Sequence, residues 1–150
     1  EPKWRKMSTK QPLVEEISII IPSIFGYEEV ITEAVGSVAK IKKFPLEKTS
    51  KLKLAVAEAC INSIEHGNQK DPDKKVVVTI RCEADSITAC IQDAGGGNID
   101  PQHKMPDLKE QIQVKEIGGW GMFLVNELVD KVEIDSAPGQ PTTTTLTINQ

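Results

Sequence analysis

Apolar and polar positions alternate with period two in four stretches of the chain. In Val76–Ala84, the residues Val76, Val78, Ile80, Cys82 and Ala84 point one way, and Val77, Thr79, Arg81 and Glu83 the other. After a turn at Ala84-Asp85-Ser86, Ile87, Ala89 and Ile91 repeat the pattern. Val132 and Ile134 do so against Lys131, Glu133 and Asp135, and Leu146 and Ile148 against Thr145 and Thr147. Period two is the repeat of a strand, and one polar face in each implies a sheet covered on one side only. A further run, Ile17–Ile21, stops at Pro22 and reads as a strand near an edge. Helical periodicity from Tyr27 to about Lys43, Ser50 to about His66, and Gly121 to about Asp130 supplies the cover. The pattern predicts an α+β fold: a two-layer α/β sandwich whose mixed, mostly antiparallel sheet is covered on one face by helices.

Composition narrows the class. The 150 residues carry 18 Lys+Arg against 22 Asp+Glu, a formal charge of −4 without obvious blocks, and 39% are hydrophobic. That suits one soluble domain, expected over residues 15–150, behind a flexible tail at residues 1–14. Direct nucleic-acid binding would want clustered Lys and Arg, so it is not expected. The longest apolar runs are three or four residues, too short for a membrane span, and the basic start lacks the apolar stretch of a secretory signal. Cys60, Cys82 and Cys90 form an odd set with no C-x-x-C pair, which disfavours a disulfide framework or zinc site and suits a reducing cytoplasm.

The second predicted helix, capped by Thr49 or Ser50 and ended by Gly67, carries a polar stripe of Glu58, Asn62, Glu65 and His66. Glu58 and Asn62 stack one turn apart. A carboxylate there can take a proton from a nucleophile, and an amide oxygen can serve a hard cation such as Mg²⁺. The same stripe also fits the solvated face of an amphipathic helix. His66 reads as a capping or packing residue.

Two glycine segments follow. The strand ending at Ile91 runs into Gln92-Asp93-Ala94-Gly95-Gly96-Gly97, and Gly118-Gly119-Trp120-Gly121 stands directly before the third helix. Glycine allows close backbone approach to a ligand, and a helix start offers N–H groups to phosphate oxygens. Each segment alone would also serve as a tight turn. The roughly 20 residues between them form a long polar loop, which in a compact domain is usually functional. Neither a P-loop nor a dinucleotide-binding glycine motif is present.

Taken in order, these residues resemble the GHKL ATPases of the Bergerat fold. Glu58-Ala59-Cys60-Ile61-Asn62-Ser63-Ile64-Glu65-His66-Gly67 looks like the N box, Asp93-Ala94-Gly95-Gly96-Gly97 like the D-x-G-x-G box, and Gly119-Trp120-Gly121-Met122-Phe123-Leu124-Val125 like the second glycine box. The Glu-Ala-x-x-Asn form, the Ile19-Ile20-Ile21-Pro22-Ser23 opening and the Val129–Ile134 ending are most similar to the small bacterial anti-sigma-factor serine kinases. The resemblance implies ATP and Mg²⁺ as cofactors. It implies that Glu58 is the general base, that Asn62 binds Mg²⁺, and that Asp93 accepts a hydrogen bond from the adenine amino group. Gly95 and Gly97 would pass under the adenine, Gly119 and Gly121, with Met122 beside them, would meet the phosphates, and Thr142 or Thr143 would lie near the nucleotide.

The implied activity is phosphorylation of a STAS-type anti-anti-sigma protein, with sequestration of a sigma factor. One departure stands out. The kinases of this family commonly carry an arginine two residues before the first glycine of G-x-G, where this chain has Ile117, with Lys115 near enough to substitute without the planar fork. The alternative is therefore a nucleotide-gated binding regulator without phosphotransfer. The first helix sets Val30, Ala34, Val38 and Ile41 at helical spacing, a pattern that core packing explains as well as the homodimer common in those kinases.

Overall fold

The computed structural model describes residues 14–95 and 117–150, with only the backbone described at 117–120. The expectations placed on residues 1–13, Gly97 and Lys115 lie outside the described residues. Five strands form one sheet: β1 (Glu15–Pro22), β2 (Lys75–Cys82), β3 (Ser86–Gln92), β4 (Lys131–Asp135) and β5 (Thr143–Asn149). Their order is β1-β2-β3-β5-β4. Every pairing is antiparallel, so the sheet is not mixed. β5 lies between β3 and β4 and pairs with both, so β3 and β4 run in the same direction and the chain crosses over from one to the other.

The alternation read from sequence is the alternation of burial. Val76, Val78, Ile80 and Cys82 of β2 face inward with Ile87, Ala89 and Ile91 of β3 and Leu146 and Ile148 of β5. The opposite face is open and polar, with Thr79 opposite Cys90 and Cys90 opposite Thr145 across three strands. β2 stops at Cys82 rather than Ala84, because Glu83 already closes the turn by donating its N–H to the Ser86 carbonyl at 3.0 Å.

Helices α1 (Glu28–Ile41), α2 (Leu46–Asn62) and α3 (Ile117–Leu128) accompany the sheet. The inward stripe of α1 is Ile31, Val35, Val38 and Ala39. Of the four residues singled out in sequence, Val38 is core and Ala34 packs partly buried against it, whereas Val30 and Ile41 are exposed. Helix α2 starts four residues before the expected Ser50. Pro45 is its N-cap and no side chain caps it. The Pro45 carbonyl instead accepts both the Thr49 N–H (3.0 Å) and the Thr49 hydroxyl (3.1 Å). A proline at this boundary has the φ a helix entry needs and no N–H to lose. Leu52, Ala55, Val56, Ala59 and Cys60 bury one side of α2 in the core. Burial pushes the Cys60 thiol pKa up to about 12, with the Glu28 carboxylate adding in the same direction.

Candidate nucleotide site

At Asn62 the α-helical hydrogen-bond pattern gives way to a π-helical turn, Ser63–Gly67. Such turns shift the helix phase and occur often at functional sites. This one brings Gly67 against the end of β3. A Cβ at Gly67 would lie 2.1 Å from Oδ2 of Asp93 and 2.7 Å from its Cγ. Gly67 is not in the left-handed region, so glycine is required here for space and not for backbone freedom. His66, in the same turn, is exposed, with its Nε2 3.9 Å from the Glu65 carboxylate. It neither caps nor packs as expected.

Asp93 is buried just past the last residue of β3. Its Oδ1 accepts the N–H groups of Gly95 (2.8 Å) and Thr142 (2.9 Å), and its own N–H donates to the Thr142 carbonyl at 3.0 Å. Oδ2 is buried and has no hydrogen-bond partner among the described residues. Gly95 has φ +88°, and a Cβ there would meet the Gln140–Pro141 peptide at 2.9 Å. Conformation and space both demand glycine at this turn. The Lys74 ammonium donates to the Gly95 carbonyl at 3.3 Å.

Thr142 and Thr143 lie on different faces at the start of β5. Thr142 is buried against Asp93, and its hydroxyl donates to Ser136 Oγ at 3.2 Å. Thr143 pairs with Gln92 and Asp135 on the open face.

Glu58 and Asn62 project from α2, half-buried, toward α3. A Cβ at Gly121 would sit 2.7 Å from Glu58 Oε2 and 3.8 Å from Asn62 Nδ2. The second glycine box therefore crosses the Glu58/Asn62 face at its glycine. The helix starts at Ile117, not at Gly121. Gly119 is thus among the first four residues, whose N–H groups have no partner within the helix, whereas Gly121 is the fifth and its N–H belongs to the helical ladder. What Gly121 gives is room for the carboxylate rather than a free donor. Met122 is partly buried against the core, and its carbonyl accepts the Asn126 amide at 3.0 Å.

Sequence reasoning passed over Asn68, which is fully buried beside Gly67. It also passed over the spatial reason for Gly67. Both depend on a contact between segments some 26 residues apart, and no local pattern announces such a contact.

A carboxylate and an amide on one face of α2 lie under the glycine of α3, and a buried strand-end aspartate sits against Gly67 at the end of the same helix, an arrangement that suits a nucleotide-binding class of α+β domain. The chain belongs to the histidine kinase-like ATPase domain family, which matches residues 26–148, and ATP is accordingly its cofactor. It is similar to the serine-protein kinase RsbW of Bacillus pumilus, with 29% identity over 91% of this chain and 88% of that one. It is also similar to the anti-sigma F factor of Oceanobacillus iheyensis, 29% identical over 88% of this chain and 90% of the relative. The anti-sigma F factor of Bacillus velezensis is 30% identical over 68% and 70%. The fold matches a solved structure of the RsbU and RsbW domains of a Mycobacterium tuberculosis protein with a TM-score of 0.64 at 17% identity. That match covers 90% of this chain and 32% of the solved one, so this chain spans about a third of the solved chain. Among the described residues, no helix is long and apolar enough to cross a membrane.

Proposed function

We propose that the chain is a cytoplasmic ATP-dependent serine protein kinase that also sequesters a sigma factor, with a STAS-type anti-anti-sigma protein as its phosphorylation substrate. The observation that carries the nucleotide part is Asp93. A buried acceptor without a partner costs about 1–3 kcal/mol, and the fold retains one at Oδ2 while holding Oδ1 with two N–H groups. An exocyclic amino group of adenine is a donor of the right kind for Oδ2. Gly95 and Thr142 border the same carboxylate, and Gly97 continues the glycine segment that would pass under the base.

The second half of the site follows from the same helix. Gly67, against which Asp93 lies, is five residues beyond Asn62, roughly 7 Å along a continuous helix. Glu58 and Asn62 therefore face the phosphate end when Asp93 holds the base. The Asn62 oxygen is a neutral hard donor suited to Mg²⁺, and bound Mg²⁺ would neutralise phosphate charge. Glu58 takes the proton from the partner's serine hydroxyl as that oxygen forms its bond to the γ-phosphorus. The bond from phosphorus to the β–γ bridging oxygen breaks, and ADP keeps the electron pair. Gly119 offers an early-helix N–H to the phosphates, and Lys115 is the nearest cation in sequence to the place of the family's arginine. The partner assignment is supported by the names of the relatives. The exposed Val30 and Ile41 of α1 suit self-association.

Ile117 favours the second reading, a nucleotide-gated binding regulator that transfers nothing. Incubation with γ-labelled ATP, Mg²⁺ and a STAS-type protein separates the two. The kinase reading expects labelled partner from the wild-type chain, and from Glu58→Ala it expects retained ATP binding with transfer lowered at least about a hundredfold. Unlabelled partner despite bound ATP selects the regulator, and full-rate transfer by Glu58→Ala removes Glu58 as the base.

A further inference from the structure

We infer that Asn68 is a positioning residue for nucleotide recognition, clamping the Asp93 carboxylate from the helix side. The inference rests on the reading of Asp93 as the adenine acceptor. Asn68 is fully buried, and both polar atoms of its carboxamide have partners. Nδ2 donates to Ser23 Oγ at 2.8 Å and to the Lys75 carbonyl at 3.1 Å, and Oδ1 accepts the Ala94 N–H at 2.8 Å. Ser23 in turn donates to the Lys74 carbonyl at 2.6 Å. The first two contacts anchor the side chain to the end of β1 and the start of β2. The third carries that anchor to the residue directly after Asp93.

The geometry is two-sided. From the β5 side Thr142 holds Asp93 through the carboxylate and the main chain. From the helix side the grip comes through the Asn68–Ala94 bond, while Asn68's own N–H donates to the Ser63 carbonyl at 2.8 Å to close the π-helical turn. One residue thus sets both walls of the carboxylate's seat, the Gly67 backbone and the Asp93–Gly95 turn. Without the carboxamide, the Ala94 N–H and the Lys75 carbonyl lose their partner, and the turn is fixed from β5 alone. Oδ2 is the atom left to point at a ligand, so its aim is what such loosening spoils. Asn62 and Glu58 lie six and ten residues back along the helix, roughly one and a half and nearly three turns, and are not touched.

Calorimetric titration of the full chain with ATP and with inosine triphosphate, whose carbonyl replaces the amino group, tests this. Wild type prefers ATP. In Asn68→Ala the ATP-to-inosine-triphosphate affinity ratio falls by about tenfold or more, the worth of one well-aimed hydrogen bond to a charged group. The kcat at saturating ATP stays within about twofold. Ser23→Ala damages the same network without touching Ala94, and keeps the ratio within about threefold of wild type. If Asn68→Ala yields no folded protein, Asn68→Ser, still polar but too short to span both anchors, takes its place with the same expectation. A folded Asn68 variant with the wild-type ratio overturns the inference, as does one whose loss lies in kcat alone. Asp93→Asn distinguishes the two levels: a wild-type ratio there overturns the adenine reading itself, whereas a collapsed ratio there beside an intact one in the Asn68 variant overturns only the role of Asn68.

Discussion

Replacing Gly67 by alanine sets two effects of opposite sign against each other. Gly67 has ordinary helical-side φ, so backbone propensity alone favours alanine by up to about 1 kcal/mol. The added Cβ, however, would sit 2.1 Å from Asp93 Oδ2, 2.7 Å from Cγ and 2.9 Å from Cβ. Non-bonded contacts of this kind are comfortable near about 3.5 Å, so the carboxylate or the π-helical turn must move by more than an ångström. The carboxylate is poorly placed to retreat, since Oδ1 is held at 2.8 Å by Gly95 and 2.9 Å by Thr142. Breaking both of those charge-assisted bonds would cost about 3–6 kcal/mol at about 1.5–3 each. Partial relaxation of the turn and the propensity gain offset some of it, leaving a net loss of about 3 kcal/mol. For a domain of this size that lowers Tm by roughly 6–12 °C. ATP affinity falls with it by at least about tenfold, because Oδ2 is displaced. Thermal unfolding followed by circular dichroism and calorimetric ATP titration measure the two losses. A Gly67→Ala protein that melts and binds ATP as wild type does would refute the argument that this glycine seats the carboxylate.

Gly121→Ala should behave differently. Its Cβ meets the far end of the flexible Glu58 side chain at 2.7 Å, so Tm holds or rises slightly, while transfer measured with labelled ATP falls at least about tenfold. Alkaline stability reports on Cys60. Its folded pKa, about 12, lies above the 9.0 of an ordinary thiol, so the folded state holds a proton that the unfolded state releases between those values. Unfolding free energy should therefore be intact below pH 9 and fall through that window by up to about 1.4 kcal/mol per pH unit. Urea titrations of Cys60→Ala should show a flatter alkaline limb, and an unchanged slope would contradict the assignment. Ile117→Arg should raise the phosphotransfer rate with little change in ATP affinity, and single-turnover assays would show whether it does.

The strands were legible because one face of the sheet is core and the other is water, which stamps period two directly on β2, β3 and β5. Helix boundaries were less so. The start of α2 at Leu46 depends on Pro45, whose carbonyl serves Thr49, while Thr49 and Ser50 looked like caps by residue type alone. The α1 pattern left core and exposed faces open, since Val30 and Ile31 are equally apolar and only packing decides that Ile31 is inside and Val30 is not. At the site, the spacing of Glu58 and Asn62 and the aspartate–glycine turn were readable because they are local. The start of α3 before Gly121 ran against the low helix propensity of three glycines in its first five residues. The seat of Asp93 at Gly67, the Asn68 contacts and the burial of Thr142 against Asp93 arise only when the π-helical turn, β3 and β5 meet.

On the proposed function, Glu58, Asn62 and Asp93 serve a single ATP molecule. A crystal structure of the chain with Mg²⁺ and a non-hydrolysable ATP analogue tests it most directly. The account predicts the adenine amino group within hydrogen-bonding distance of Asp93 Oδ2, with Asn62 at the metal-bearing phosphates and Glu58 facing the γ-phosphate. A nucleotide bound elsewhere, or one whose base leaves Oδ2 untouched, would contradict it.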